Sequence, residues 1–306
     1  FNPGGQGKAR LPWPANFDDE FTKKKGYDIF DHLPELFFNT GNYRKVRFDF
    51  WDVLLSMFVE AFTKNIYEWC EENNLKFTGH FWEHVFPDPL YNGSVMPNYE
   101  FMQVPGIDML FNTKEERDQF GNVLIVKEVS SVANQLGKER VMSETYGASG
   151  WELNFADQKK VADWQFALGI NLVCQHLVLY SLKGYRKRDF PLSFADHQPW
   201  WNYYRILGDY IGRMSYIMSQ GDFVGDVLVL HPSSSTWAEF SPNQESSLLD
   251  EIEKSVKSLV KTLSGIQCPF DLGDDVIIQR HGRVEDDRFI IGKMAYRTVI
   301  LPSMTV

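Results

Sequence analysis

Arg140-Val-Met-Ser-Glu-Thr-Tyr-Gly-Ala-Ser-Gly-Trp-Glu152 is the stretch of sequence that decides the fold. Residues 140–144 favour a strand, and small residues open the chain into a loop soon after that strand ends. Helical periodicity covers Asn122–Leu136 before the strand and Phe155–Leu168 after it, and each helical stretch is followed by glycine. Strands that alternate with helices predict parallel β/α units.

The same alternation extends along the chain towards both ends. The further elements predicted are a helix over 47–73 and strands over 75–80, 107–111 and 170–180. Residues 1–45 are rich in proline, glycine and aromatic rings, which predicts mostly loop with one short helix near Pro34–Phe38. We interpret residues 1–222 as the C-terminal part of a catalytic TIM-type β/α barrel, in which polar residues after each strand form the active site.

The character of the sequence changes after residue 222, where we place a domain boundary. The elements predicted beyond it are a strand over 226–231, a helix over 245–263 and strands near Val276–Gln279 and Tyr296–Pro302. We interpret residues 223–306 as the start of a flavodoxin- or amidotransferase-like, doubly wound α/β domain. Phe1 is not methionine and Val306 directly follows a strand-like run, so we expect an internal piece of a longer protein.

The composition excludes several classes of protein. The net charge of −10 argues against nucleic-acid binding, because phosphate contacts need clustered lysine and arginine. No run of about 18 apolar residues is present, so we predict no membrane span. The three cysteines include no C-x-x-C pair, and we expect Cys70 and Cys174 to be buried free thiols. The nine tryptophans and thirteen tyrosines suit sugar binding, although such rings also fill cores.

Glu144 is the strongest candidate for a catalytic carboxylate. Strand-forming residues deliver it to the C-terminal end of a strand, and the small residues that follow let a ligand approach the backbone closely. Glycosidases need a carboxylate in such a position, either to attack the anomeric carbon or to activate water. Trp151 and Glu152 follow within one loop and are candidates for sugar contacts. The alternative is a glutamate that caps the next helix or pairs with an arginine.

A second carboxylate lies in Phe77-Thr-Gly-His-Phe-Trp-Glu-His84, which also follows a short predicted strand. Glu83 beside Trp82 is expected to be desolvated, and desolvation raises the pKa of a carboxyl group as a general acid requires. His80, Trp82 and His84 are candidates for substrate binding. We predict no metal site here, because the segment leaves a strand and lacks the H-E-x-x-H order of helical zinc sites.

Two further segments supply candidates for substrate binding. His176 and Tyr180 could hydrogen-bond sugar hydroxyls, and Arg186 could orient a carboxylate. Trp200 lies among four large rings at a predicted helix start, which form either a stacking wall or the packing of that helix on the barrel. We expect one ring of this cluster in the site. The sequence contains no glycine-rich phosphate loop and no G-x-S-x-G elbow.

Several blocks of the sequence resemble bacterial glycoside hydrolases of family 106, which are mostly known as α-L-rhamnosidases. These blocks are Thr78-Gly-His-Phe-Trp-Glu-His84, Pro105-Gly-Ile-Asp-Met-Leu110, Ser131-Val-Ala-Asn-Gln-Leu-Gly137, Ser143-Glu-Thr-Tyr-Gly147 and Gly184-Tyr-Arg-Lys-Arg-Asp189. The resemblance covers roughly residues 27–240, and the Ser-Glu-Thr-Tyr-Gly block is its most specific part.

The resemblance implies an inverting hydrolase with one glutamate as acid and one as base at a barrel mouth. Glu144 matches the block that carries the base, and Glu83 lies in the region of the acid. The resemblance also implies calcium near the sugar, whereas the residues themselves indicate no cofactor. It further implies cleavage of terminal sugars from plant or microbial glycosides or polysaccharides, and we expect a periplasmic or secreted bacterial protein.

Two alternative functions stay open. The second domain is similar to the α/β domain that follows the barrel in family 42 β-galactosidases, which implies a retaining, β-galactosidase-like enzyme. A catalytically inactive barrel that binds polysaccharide would carry the same aromatic clusters, but it would not need two carboxylates at strand ends. In each case the predicted partner is a carbohydrate.

Overall fold

Four parallel strands form the sheet that carries the predicted site. The structure is a computed structural model that describes residues 10–110, 122–188 and 190–305. The strands are β1 (Thr78–Gly79), β2 (Val104–Met109), β3 (Met142–Thr145) and β4 (Leu172–Gln175). They lie side by side in chain order, and every neighbouring pair is parallel. The predicted parallel β/α units are confirmed, and closure of the sheet into a barrel stays a prediction.

Helices precede, connect and follow these strands. They are α1 (Phe17–Lys25), α2 (Leu33–Phe37), α3 (Tyr43–Phe58), α4 (Lys64–Glu72), α5 (Met96–Tyr99), α6 (Val123–Leu136), α7 (Phe155–Leu168) and α8 (Tyr204–Met218). Short 3-10 turns cover Ile29–His32, Glu83–Val85, Gly184–Arg188 and Trp201–Tyr203. Gly137 and Gly169 end α6 and α7 in the left-handed region, as their positions in the sequence predicted. The helix predicted over 47–73 is interrupted by a π-helical turn at Val59–Thr63.

The second sheet also has parallel strands. It consists of β5 (Val227–His231), β6 (Phe270–Asp274) and β10 (Thr298–Ile300) in the order β10-β5-β6. Its helices are α9 (Ser233–Glu239), α10 (Ser247–Gly265) and α11 (Asp275–His281). The boundary predicted near residue 222 falls between α8 and β5, and the division into two domains stays a prediction.

The structure corrects four predictions about elements. Residues 1–45 were predicted mostly as loop, but α1 forms because Phe17 and Phe21 are fully buried and three lysines face the C-terminal end of the helix dipole. The strand predicted near residues 276–279 is instead helix α11, because the Asp274 side chain caps it by accepting a hydrogen bond from the Val276 N–H at 2.9 Å.

The other two corrections concern strands. The strand predicted over 170–180 ends at Gln175, after which the chain leaves the sheet. An antiparallel sheet that the sequence did not reveal consists of β7 (Gly282–Glu285), β8 (Arg288–Ile291) and β9 (Met294–Tyr296). Its strands are only three or four residues long, which is too short for clear alternation of polar and apolar residues. Among the described residues, no helix has the length and apolar character needed to cross a bilayer.

Helix α6 joins the two sheets into one core. Val126 and Val129 of α6 belong to the same buried hydrophobic cluster as Leu272 of β6. Ser131 Oγ accepts a hydrogen bond from the Leu272 N–H at 2.8 Å, and Gln135 Nε2 donates to the Leu272 carbonyl at 2.7 Å. The side chains of α6 therefore fix the position of the second sheet relative to the first.

A chain of buried polar groups crosses the same junction. His231 Nε2 lies 3.0 Å from Glu128 Oε1, and His231 Nδ1 lies 2.9 Å from Ser233 Oγ. Ser233 Oγ donates to Asp274 Oδ2 at 2.7 Å. All four residues are at most 5 % exposed. Hydrogen bonding of this kind offsets the cost of burying the charged and polar groups.

Candidate active site

The strand register brings polar residues to one face of the first sheet. Asp108 on β2 lies opposite Glu144 on β3, and Glu144 lies opposite Cys174 on β4. Residues opposite one another on parallel strands point to the same face, so these three side chains share a surface. Cys174 is exposed, and the prediction that it is buried is wrong. Cys70 is a buried free thiol, as predicted.

Glu144 lies between two imidazole rings at the C-terminal end of β3. Its Oε2 is 3.6 Å from His80 Nε2, and its Oε1 is 3.6 Å from His176 Nε2. The side chain is 30 % exposed, so substrate and water can reach it. In the described part of the chain it neither caps a helix nor pairs with arginine, and the cap of α7 is Asn154. The alternative that Glu144 caps a helix or pairs with an arginine is therefore disfavoured.

Glu83 is buried close to His80. The residue is 1 % exposed, and its carboxyl accepts hydrogen bonds from the backbone N–H groups of Asp108 at 2.5 Å and Phe81 at 3.3 Å. Burial raises the pKa of Glu83 to about 8, against the opposing effect of the backbone hydrogen bond from Asp108. Glu83 is therefore protonated at neutral pH. The desolvation expected for this residue is present, although Trp82 itself is 54 % exposed.

His80 connects the two glutamates. Its Nδ1 lies 3.8 Å from Glu83 Oε2, and its Nε2 faces Glu144. Burial lowers the pKa of His80 while the Glu144 charge opposes the shift, so the ring is neutral at pH 7. One imidazole thus contacts a protonated buried carboxyl on one side and an accessible carboxylate on the other.

Asp108 is a third carboxyl at the same place. Burial, followed by the charge of Glu144, raises the pKa of Asp108 to about 7. Among the described residues its Oδ1 is buried without a hydrogen-bond partner. An acid with a pKa near 7 can donate or accept a proton at neutral pH. In the sequence, Asp108 is the second residue of the strand predicted over 107–111 and belongs to the Pro105–Leu110 block of the family resemblance.

Two exposed tryptophans lie on the loops that follow β1 and β3. Trp82 stacks on Tyr91 with ring centroids 5.3 Å apart, and the ring of the half-buried His84 lies 5.3 Å from Trp82. Trp151 is 38 % exposed, and its Nε1 donates to the Lys187 carbonyl at 3.0 Å. The contacts predicted between a sugar and Trp82, His84 or Trp151 stay predictions.

Four other predicted binding residues are not brought to the carboxyls by any described contact. Tyr180 is fully exposed, Glu152 is exposed, and the exposed Arg186 donates to the Lys183 carbonyl instead of orienting a carboxylate. Trp200 packs among Phe155, Phe194 and Tyr204 with centroids 5.4–5.9 Å apart, which is the packing role that the sequence left open. Asp189, at the end of the block over 184–189, lies outside the described residues.

The side chains around Glu144 do not fit the calcium that the resemblance implies. Calcium takes six to eight oxygen ligands, whereas the two oxygens of Glu144 each lie 3.6 Å from an imidazole nitrogen, of His80 and of His176. In residues 10–110, 122–188 and 190–305, no three His, Cys, Asp or Glu side chains are grouped so as to hold a metal ion. We therefore derive no chemical step through calcium.

The burial of Glu83 has a measurable effect on stability. Its pKa is about 8 in the folded protein and ordinarily 4.5, so between these values the folded state binds more protons than the unfolded state. This contribution to stability is complete below pH 4.5 and is lost as the pH rises through 8, at up to about 1.4 kcal/mol per pH unit.

Glu83→Gln cannot ionise, so the free energy of unfolding of this variant minus that of the wild type is expected to rise across that pH range. Urea unfolding at several pH values measures this difference. Glu152→Gln is the matched control, because Glu152 is exposed and its replacement should leave the difference constant. Parallel pH dependences of Glu83→Gln and the wild type would contradict the burial argument.

Comparison with known proteins gives a family and a shared fold. The family model for glycoside hydrolase family 106, described as alpha-L-rhamnosidase, matches residues 7–250. A curated protein of Formosa agariphila, which carries the provisional name beta-glucuronidase, is 26 % identical to this chain over 232 residues. That match covers 73 % of this chain and 19 % of the relative.

Two solved structures share the fold. A rhamnosidase from Novosphingobium sp. PP1Y superposes with a TM-score of 0.69 at 18 % identity, covering 96 % of this chain and 28 % of that one. A cold-adapted beta-galactosidase from Rahnella sp. R3 superposes with a TM-score of 0.58 at 13 % identity, covering 86 % of this chain and 43 % of that one. The chain thus spans less than half the length of each of these three proteins.

Proposed function

This chain belongs to glycoside hydrolase family 106, the α-L-rhamnosidase family, and on that premise we propose that the protein hydrolyses terminal sugars from glycosides, with α-L-rhamnosides as the preferred class. The observation that carries the proposal is the meeting of Glu83 and Glu144 at one imidazole, at the C-terminal ends of parallel strands. Glycoside hydrolysis needs two carboxyl groups, one that supplies a proton to the leaving oxygen and one that acts as base or nucleophile.

The two carboxyls differ in the way that an acid–base pair requires. Glu144 is accessible and lies between the imidazole rings of His80 and His176, where it can take a proton from an attacking water. Glu83 is held protonated by burial and can supply the proton that the leaving oxygen takes up. The carbon–oxygen bond of the glycoside breaks while the water oxygen bonds to the anomeric carbon.

An imidazole ring inserted between the carboxyls supports inversion. Inverting enzymes leave room for a water, with carboxyls roughly 6.5–9.5 Å apart, whereas retaining enzymes hold them about 5–5.5 Å apart. His80 lies 3.8 Å from one carboxyl and 3.6 Å from the other, so it occupies space between them. We propose that Glu144 acts as the base, not as a nucleophile.

Hydrolysis of a panel of 4-nitrophenyl glycosides by the full-length protein tests the proposal. We expect release of nitrophenol from the α-L-rhamnoside, and NMR of the first sugar released should show the anomeric configuration opposite to that of the substrate. A β-D-galactoside cleaved with retention would favour the galactosidase alternative, and a β-D-glucuronide would favour the activity named for the Formosa agariphila relative. Sugar binding without hydrolysis of any glycoside would favour a non-catalytic, carbohydrate-binding protein.

A further inference from the structure

Two stacked aromatic rings form an exposed surface next to Glu83. The rings of Trp82 and Tyr91 have centroids 5.3 Å apart, and their planes are 25° from parallel. Trp82 is nevertheless 54 % exposed, so a large part of its indole is open to a ligand. We call this pair of residues the Trp82–Tyr91 platform.

The backbone holds the indole of Trp82 on the outside of the protein. Exposed and buried residues alternate along 80–83, where His80 and Trp82 are exposed and Phe81 and Glu83 are buried. Trp82 has φ 45° and ψ 44°, a left-handed conformation that bulky residues rarely adopt and that is found mainly where function requires it. With this conformation the indole lies outside while the neighbouring carboxyl lies inside.

The polar atoms of the platform are available to a ligand that carries hydroxyl groups. In the described part of the chain, neither the Trp82 indole N–H nor the Tyr91 hydroxyl has a hydrogen-bond partner. The indole N–H of Trp151 differs, because it donates to the Lys187 carbonyl. A pyranose presents an apolar C–H face surrounded by hydroxyls, which matches flat rings with polar tips. A plain aryl group would leave these polar tips unused.

The platform lies on the side of the proposed general acid. Trp82 immediately precedes Glu83, and both residues line a cavity of about 30 Å³. In the proposed hydrolysis Glu83 protonates the leaving oxygen, while the base activates a water on the opposite face of the sugar. The part of a substrate that lies near Trp82 therefore belongs to its leaving group.

The removal of a terminal sugar leads to the same assignment. A terminal sugar is joined to the rest of the substrate through the bond that is cleaved, so no second sugar lies on its other side. Any further sugar that the substrate brings to the site is part of the leaving group. A sugar on the Trp82–Tyr91 platform would therefore be the one that leaves, or the next one along.

We propose that the Trp82–Tyr91 platform binds a sugar of the leaving group, so that the preferred substrates are rhamnosides of other sugars. The inference rests on the proposed glycoside hydrolysis and names the substrate class of that site. Binding energy from parts of a substrate remote from the reacting bond can lower the barrier to the reaction. Methyl α-L-rhamnoside has no ring in its leaving group and lacks this contact.

A comparison of leaving groups with the full-length protein tests the inference. The substrates are methyl α-L-rhamnoside and the disaccharides in which α-L-rhamnose is joined to each hydroxyl of glucose in turn. We expect kcat/KM for the best disaccharide to exceed that for methyl α-L-rhamnoside on the order of tenfold, the effect of one good aromatic contact. A wild type that cleaves methyl α-L-rhamnoside at least as well as every disaccharide would overturn the inference.

Substitution of Trp82 separates stacking from the chemical difference between the leaving groups. Trp82→Ala is expected to lower the ratio of kcat/KM for the best disaccharide to that for methyl α-L-rhamnoside on the order of tenfold, and Trp82→Phe, which keeps a flat ring, is expected to lower it less. Trp82→Gly covers the case in which Trp82→Ala folds poorly, because glycine adopts a positive φ without strain. A wild-type ratio in the alanine or the glycine variant would overturn the inference.

Trp69 supplies the matched control. It is a tryptophan with the same 54 % exposure, but it lies on α4, and no described contact joins it to Glu83, Glu144 or the platform. Trp69→Ala is therefore expected to keep the wild-type ratio. An equal fall of the ratio in Trp69→Ala would indicate a general disturbance of the protein and would also overturn the inference.

The 4-nitrophenyl rhamnoside distinguishes a sugar site from a site for any flat ring. If Trp82→Ala lowers kcat/KM for this substrate as much as for the best disaccharide, the platform does not select a sugar and the inference is wrong. Each of these negative results leaves the proposed hydrolysis intact. Absence of hydrolysis of the methyl, 4-nitrophenyl and disaccharide rhamnosides by the wild type would instead refute the proposed function, and the inference with it.

Discussion

Replacement of Glu144 by glutamine is expected to lower kcat on the order of 10²–10⁴-fold on an α-L-rhamnoside while KM changes little. The amide keeps the shape of the carboxylate but cannot accept the proton of an attacking water. Its side chain remains 30 % exposed between His80 and His176, so binding of the sugar should persist. Steady-state kinetics, together with binding of rhamnose to the variant by calorimetry, measure both parts.

Glu152→Gln is the matched control for this result. Glu152 is a glutamate on the loop that follows the same strand, but it is exposed, and no described contact joins it to the carboxyls. Its replacement is expected to change kcat by less than about tenfold. Near-native turnover of Glu144→Gln, or an equal loss in Glu152→Gln, would place the base elsewhere.

Replacement of Glu83 by glutamine is expected to lower the rate of hydrolysis by a factor that depends on the leaving group of the substrate. A nitrophenol leaving group departs from the sugar without full protonation. An alkyl alcohol leaving group departs only when it is protonated. We expect a loss on the order of 10²–10⁴-fold for methyl α-L-rhamnoside and a much smaller loss for the 4-nitrophenyl substrate. The ratio of the two losses is the measurement.

The pH profile identifies which carboxyl supplies the proton. The pKa of Glu83 is about 8, and the acid is active when protonated, so kcat/KM of the wild type should fall as the pH rises through about 8. Glu83→Gln should remove this alkaline limb. Asp108 has a pKa of about 7, so a limb near 7 that survives in Glu83→Gln and disappears in Asp108→Asn would make Asp108 the acid.

Asp108→Asn is a clean comparison for structural reasons. The hydrogen bond that Asp108 gives to Glu83 comes from its backbone N–H, so a change of side chain keeps that bond. The two variants therefore separate the Asp108 carboxyl from the positioning of Glu83. A leaving-group effect confined to Asp108→Asn would assign the proton donor to β2 and refute the role of Glu83.

The sequence by itself determined the β/α alternation and the strand end that carries Glu144. Helix α7 was predicted with both its ends, and glycine follows its last residue. Of two other helices, one was missed and one was predicted as a strand. Helix α1 forms because Phe17 and Phe21 become buried, and α11 replaces a predicted strand because Asp274 caps it.

Only the tertiary structure decided how the carboxyls differ. Glu83 and Glu144 look alike as polar residues after strands, yet one is 1 % exposed and the other has a 30 % exposed side chain. Burial depends on strands and helices that are far apart in sequence, and the register of β2 against β3 sets which groups face each other. The position of His80 depends on the pairing of β1 with β2, because His80 comes directly after β1. Local periodicity carries no information about such contacts, because it records which side of an element is apolar but not what packs against it.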